Sequence, residues 1–445
     1  MSHPTPDPKL PVIVIGAGPI GLSAAAHLVT RGLRPLVLEA GEFAGSAVRE
    51  WGHISLFSPW GFNTDPAARA LLEPRGWVAP DPERVPTGAE LVREYVQPLA
   101  TAPEIAPHIR YGARVIGVGR RGIDKTRSVG RERHSLVVRV ETAGGVQEIA
   151  AAAVIDASGT WSTPNPLGAS GYPAAGESAC APWLVGALPD VLGRDRTRFA
   201  GRSTLVVGLG HSAANTLLAL VELAESEPDT EIFWGIRGHS PHRLYGGGDA
   251  DELPARGALG TRLRAAVADG RITLLRDFAI HSLAATPSGR VKVKADGSTE
   301  IVVDAIAAAT GFRPNLDMLR EVRLDLDPVV EAPAQLAPLI DPNHHSCGTV
   351  EPHGAEILAQ PEAGVFIVGM KSYGRAPTFL LATGYEQVRS VVAAIAGDHE
   401  AAARVELILP ESGVCCVAPG IPEPRPTAGF ATGLEHGFAG EVSRG

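Results

Sequence analysis

The first glycine-rich turn, Pro11-Val-Ile-Val-Ile-Gly16-Ala-Gly18-Pro19-Ile20-Gly21, limits the possible folds of this chain more than any other stretch. Four β-branched residues in a row have the form of a buried strand. Leu22 to Val29 then has helical character, and Gly32 ends it. A second strand, Pro35-Leu-Val-Leu, delivers Glu39 roughly 20 residues beyond the turn, where a ribose hydroxyl needs an acceptor. Gly16 makes the tight turn, Gly18 lets a pyrophosphate approach the backbone, and Gly21 lets helix and strand pack closely. Free amides at the helix start favour the phosphate charge. Strand, glycines, helix and acid in this order predict a dinucleotide site.

A second turn of the same kind follows. Ser203-Thr-Leu-Val-Val leads into Gly208-Leu-Gly210-His211-Ser212-Ala213, with Ala213 an accepted replacement for the third glycine. The helix Thr216 to Ala224 comes next, and the strand Glu231-Ile-Phe-Trp-Gly-Ile leads to Arg237, with Arg243 nearby. No acid ends that strand. Arginine there suits the 2′-phosphate of NADPH, the alternative being an ordinary surface cation.

Between the turns, Arg49-Glu-Trp51-Gly-His-Ile-Ser-Leu-Phe-Ser58-Pro-Trp60 is aromatic and without clear period. Two readings stand: contact with the first nucleotide, or packing under a long loop. Ala40 and Val115 join the residues expected near that nucleotide. Thr87 and Glu90 form a capping box before the helix Leu91 to Val96, which Pro98 is expected to end. Strands are predicted at Ala113 to Val118, Ser135 to Val140 and Ile149 to Ile155. The basic run holding Arg120, Arg121, Lys125, Arg127, Arg131 and Arg133 reads as a solvated loop or as a lid near an anion. Pro164 to Pro189 reads as a domain connection. Ile272 to Leu275, Val291 to Lys294 and Ile301 to Ile306 are further strands. The chain returns through Thr310-Gly311, and the strand Gly364 to Gly369 precedes a helix opening at Thr383-Gly384.

The 445 residues allow two or three domains. The net charge of −9 argues against nucleic-acid or anionic-membrane binding. Met1 to Leu10 lacks the apolar core of a signal segment, and four cysteines make no disulfide scaffold, so a cytoplasmic protein is expected. His344, His345, Cys347 and His353 fit no familiar zinc spacing. The sequence leaves the oligomeric state open.

Two dinucleotide turns, the Ala309-Thr310-Gly311 return and the late strand-glycine-helix together resemble the flavoproteins with two dinucleotide-binding domains. These include flavin-containing monooxygenases, thioredoxin reductases and pyridine-nucleotide disulfide reductases. The resemblance implies an α/β protein: an FAD-binding Rossmann-like domain of three ββα layers, residues 1–165 and 306–410, with an inserted NADPH-binding Rossmann-like domain, residues 166–305 including a connecting segment. A Gly/Pro-rich tail, 411–445, follows. FAD is then expected at Gly16, Gly18, Pro19, Ile20, Gly21, Glu39, Ala40, Trp51, Ser58, Val115, Gly159, Gly369 and Thr383. NADPH is expected at Gly208, Gly210, His211, Ser212, Ala213, Arg237 and Arg243, and Thr310-Gly311 at the crossing between domains.

The chain departs from that pattern in three places. Its cysteines, Cys180, Cys347, Cys415 and Cys416, offer no spaced redox pair, and a bond between neighbours strains the peptide. Met370 replaces the usual acid after Gly369, and the usual monooxygenase fingerprint between the turns is absent. A closer resemblance links Arg49-Glu-Trp-Gly-His, Asp341-Pro-Asn-His-His-Ser-Cys347 and Ser372-Tyr-Gly-Arg-Ala-Pro-Thr-Phe-Leu-Leu to the flavin monooxygenases of bacterial arsenic-resistance operons. It implies NADPH oxidation, reaction with O₂ and oxygen transfer to a small soft nucleophile, with Cys347 a candidate for capturing a trivalent arsenical. A reductase without oxygen insertion and a redox sensor stay open as alternatives.

Overall fold

The computed structural model describes residues 10–245, 254–341, 352–376 and 379–407. In the N-terminal part, β1 (Val12–Ile15) and β2 (Pro35–Leu38) flank helix α1 (Pro19–Thr30) in the chain. Then come β3 (Ile109–Arg110), the meander β4 (Arg114–Arg120), β5 (Leu136–Thr142) and β6 (Gly145–Ala151), and β7 (Ala153–Asp156). β1 is buried along its whole length, which a parallel strand covered on both faces requires. It pairs in parallel with β2 and β7, in register Val14 to Val37 and to Ile155.

The second unit begins at β8 (Leu184–Val185). β9 (Ser203–Val207), helix α2 (His211–Ser226), β10 (Glu231–Gly235), helix α3 (Pro254–Ala268) and β11 (Thr273–Leu275) follow. The meander β12 (Ile280–Ala285), β13 (Val291–Ala295) and β14 (Glu300–Val303) precedes β15 (Ala305–Ala308). The five parallel strands stand in the order β11-β10-β9-β15-β8. The chain then returns to the first sheet with β16 (Val365–Ile367) and helix α4 (Leu381–Ile395), giving the order β16-β7-β1-β2-β3.

Each sheet carries helices on one face and an antiparallel meander on the other, the three ββα layers expected. In the first unit Val12, Val14 and Ile155 pack with Leu22, Leu28, Val388 and Val392 of α1 and α4. Ile13, Ile15 and Val154 pack the other way, on Val118, Val138 and Val140 of the meander. Burying each such side chain contributes about 1.5–3 kcal/mol. In the second unit Val206 and Trp234 face Leu217 and Leu263 of α2 and α3, while Leu205 and Ile306 face Val291 and Val293.

Four local expectations are corrected. Pro98 does not end the helix begun at the Thr87–Glu90 capping box: Gly88–Leu91 passes through a π turn, Val92–Val96, into Gln97–Thr101. Proline cannot donate to the Glu94 carbonyl, and the Trp77 indole donates to it instead at 2.7 Å. Residues 149–155 and 301–306 each split between two strands of different sheets, broken at Ala152 and Asp304, so apolar runs hid two changes of layer. The stretch 164–189 contributes an edge strand, β8, as well as connecting. The basic run is not wholly solvated, although Arg121, Lys125, Arg127 and Arg133 are exposed. Arg131 and Arg120 are buried on Glu362, at 2.7 and 2.8 Å, which staples this loop to the chain just before β16.

Candidate functional site

The first turn lies at the carboxyl ends of β1 and β7. Gly16 has φ +99°, in the left-handed region, and a Cβ there would stand 3.0 Å from the Ala157 carbonyl oxygen. A Cβ on Gly21 would stand 2.0 Å from the Gly16 carbonyl oxygen, so helix and turn touch backbone to backbone. Around Gly18 the space is open: a Cβ would meet nothing within 4 Å. No side chain caps α1, and Pro19 occupies its first turn. That cradle of unshielded amides fits a pyrophosphate.

Glu39 follows β2 and is fixed by two backbone donors, Ala17 N–H at 2.7 Å and Gly41 N–H at 2.8 Å, one on each carboxylate oxygen. Each oxygen keeps acceptor capacity for a ribose hydroxyl. Tyr111 stands close by, its phenol pushed up by burial and by the Glu39 charge. Ala40 is exposed beside Glu39, whereas the Val115 side chain lies in the core between sheet and meander. Gly369 and Gly384 both close on Ile20, bringing the start of α4, with buried Thr383, against the first turn.

The aromatic stretch divides. Trp51 packs on Gly88, and Ser58 is buried with its hydroxyl donated to Asn63 Oδ1 at 2.9 Å. Trp51 is half-buried, and Trp60 is buried as Ser58 is. Phe57 crosses to the second unit, where its ring lies 4.8 Å from that of His211. His53 meets the Pro189 carbonyl at 3.2 Å, and Trp161 donates to Glu50 at 2.7 Å.

The second turn repeats the first. Gly208 sits where a Cβ would stand 2.0 Å from the Ala309 carbonyl oxygen, the surroundings of Gly210 are open, and α2 has no side-chain cap. His211 and Ser212 open α2, and Ala213 is buried under it. The Trp234 indole donates to the Gly208 carbonyl at 2.8 Å. Arg237 is exposed just past β10 and donates to the Ala169 carbonyl at 3.0 Å. Arg243 falls in the short helix His242–Tyr245, and its side chain is outside the description. At the crossing, Thr310 donates to the Asn165 carbonyl at 2.6 Å and the Asn165 amide returns to the Thr310 carbonyl at 3.1 Å. Gly311 accepts from Asn165 N–H at 2.9 Å.

Of the cysteines, only Cys180 is among the described residues; it is buried, which pushes its thiol up and keeps it protonated. Cys347, with His344 and His345, lies outside them, as do Cys415 and Cys416. Among the described residues no group of three His, Cys, Asp or Glu could hold a metal ion. None of their helices is long and apolar enough to cross a membrane.

Sequence reasoning missed a buried charged cluster beside the first turn. The Lys371 ammonium meets Asp156 Oδ2 at 2.6 Å and Ser158 Oγ at 3.1 Å, and both charged side chains are fully buried. An acid ending an otherwise apolar strand, and one of only five lysines in the chain, were the available signals.

Residues 11–105 match the family model described as DAO, FAD dependent oxidoreductase. No curated relative matches the chain. Among solved structures, a bacillithiol disulfide reductase from Bacillus cereus is similar over 87% of this chain and 99% of its own, with TM-score 0.62 and 18% identity. A cadaverine monooxygenase from Erwinia amylovora is similar over 92% of this chain and 99% of its own, with TM-score 0.61 and 15% identity. A flavin-containing monooxygenase from Stenotrophomonas maltophilia is similar over 87% and 98%, with TM-score 0.54 and 22% identity. At such identities the likeness is one of fold, that of flavoproteins with two dinucleotide-binding units. The matched N-terminal segment, which holds the first turn and Glu39, is similar to the FAD-binding part of FAD-dependent oxidoreductases.

Proposed function

We propose that this chain is an FAD-dependent, NADPH-oxidising monooxygenase acting on a small soft nucleophile. The observation that carries the reading is the contact of Phe57, from the first unit, with His211 at the start of α2. It sets the aromatic stretch of the first unit against the helix start that would hold the second pyrophosphate. Gly16, Gly18 and the first amides of α1 would hold the FAD pyrophosphate, with Glu39 on the ribose. Gly210, His211 and Ser212 would hold that of NADPH, with Arg237 on the 2′-phosphate. The chemistry such a pair supplies when bound is hydride transfer to the flavin followed by oxygen activation. The chain's part is orientation, exclusion of water by the aromatic stretch 51–62, and a favourable field from the α4 N-terminus.

A trivalent arsenical is the first substrate to assay, supported by the sequence resemblance around Arg49, Cys347 and Ser372. The test is NADPH oxidation by the purified holoprotein with oxygen uptake, peroxide and product measured together. Oxygenated product in proportion to NADPH supports the proposal. NADPH oxidation that proceeds equally without oxygen, on a quinone, thiol or metalloid, makes the chain a reductase instead.

A further inference from the structure

Lys371 and Asp156 lie fully buried behind the first turn. Asp156 ends β7, and its carboxylate also accepts Ser158 N–H at 3.1 Å and Ser158 Oγ–H at 2.7 Å. Lys371 lies in the 3₁₀ turn Gly369–Tyr373 that follows β16. The two strand ends bracket the first turn. A Cβ on Gly16 would stand 3.2 Å from Ser158 Cα, and one on Gly369 would stand 3.2 Å from Ile20. Two of the three Lys371 donors are taken, by Asp156 and Ser158. The sheet order β16-β7-β1-β2-β3 sets this cluster on one side of the turn and Glu39, beyond β2, on the other. A dinucleotide with its ribose on Glu39 and its pyrophosphate at the start of α1 runs its second half toward Ser158 and Lys371.

We propose that Lys371 is a positioning residue for the riboflavin half of the nucleotide, holding the Ser158-Gly159 strand end in place and setting a buried cation beside it. The proposal rests on the FAD reading of the first turn. A buried pair kept only for packing is replaceable by uncharged groups at little cost. A pair that also sets a ligand-binding strand end is not.

The experiment uses full-length apo-protein of the parent, of Lys371→Met/Asp156→Asn and of Asp156→Asn, titrated with FAD and with ADP, and melted without ligand. The carboxamide introduced by Asp156→Asn keeps an acceptor for Ser158, so the double variant is expected to melt near the parent. Its FAD dissociation constant is expected to rise about tenfold, as the displaced Ser158-Gly159 strand end loses one hydrogen bond to the ligand. ADP, which lacks the riboflavin half, is expected to bind unchanged. Unchanged FAD affinity in a folded double variant overturns the proposal, as does equal weakening of FAD and ADP, which marks a merely structural role. If the double variant does not fold, Asp156→Asn, which takes the anchoring charge from Lys371, decides alone: FAD weakened with ADP unchanged supports the proposal, and FAD unchanged, or FAD and ADP weakened together, overturns it. A parent that binds ADP but no FAD overturns the FAD reading and the proposal with it.

Discussion

Gly18 and Gly21 stand three residues apart in one motif, yet valine at each should fail for a different reason. At Gly21 a new Cβ would lie 2.0 Å from the Gly16 carbonyl oxygen, while real Cβ contacts below 3.0 Å are essentially unknown. Helix α1 must therefore draw away from the turn by about 1 Å, against a close-packed core that resists such shifts. Overpacking of this kind costs about 1–3 kcal/mol before any ligand is considered. At Gly18 nothing lies within 4 Å, and φ −78° with ψ −178° is extended backbone open to any residue. The apo-protein should then lose only the cap preference of glycine over valine, about 1 kcal/mol or less. The valine instead fills the space of the pyrophosphate. Holoprotein stability falls by the ligand contribution, about 2.7 kcal/mol where free FAD stands at 100 times its dissociation constant. The assay is flavin content by absorbance, with thermal melting of apo and FAD-supplemented forms. Gly18→Val is expected colourless, with an apo melting temperature near the parent's and no response to FAD. Gly21→Val is expected to melt low in both forms. Full flavin in Gly18→Val, or equal apo instability of the two variants, refutes the reasoning.

Arg237→Ala should weaken NADPH binding by about 1.5–3 kcal/mol and leave NADH unchanged in paired titrations; an equal effect on both makes Arg237 structural. Burial raises the Glu362 carboxyl, and the hydrogen bonds from Arg131 and Arg120 outweigh it, so its pKa is lowered from 4.5. The stabilisation is therefore complete above pH 4.5 and is lost as pH falls through the lower folded value, and Glu362→Gln should flatten that acid limb of the melting curve. If Cys347 captures an arsenical, Cys347→Ser with normal flavin content should lose the arsenical response of NADPH oxidation, while the Cys415/Cys416 double serine variant separates the second pair of sulfurs. Unchanged response in both removes the thiols from the mechanism.

Both glycine turns were legible because each demands specific residues at short spacing, and Glu39, Ala213 and Arg237 stand where those turns place them. The capping box at Thr87 was legible for the same reason. What escaped depends on long-range partners. Pro98 continues a helix because Trp77, far back in the chain, takes up the carbonyl it abandons. Arg131 looks like a solvated arginine until Glu362 arrives from the other end of the chain. Apolar runs at 149–155 and 301–306 carry no mark at the residue where the chain leaves one layer for another. Lys371 and Asp156 were hidden likewise, since a charge in a glycine-rich turn announces exposure unless its partner is known.

The return of β16 to β7 governs how the chain can be made. Every strand of the second sheet lies within 184–308, so that unit has all its pairing partners once Ala308 has left the ribosome. The first unit must wait, because β7 pairs on one side with a strand synthesised only after the whole second unit. Until Val365–Ile367 arrives, β7 is an apolar edge, Ala153-Val-Ile, open to pairing with another nascent chain. The unit begun first is therefore completed last, and the interval between is when a holdase chaperone would have most to protect.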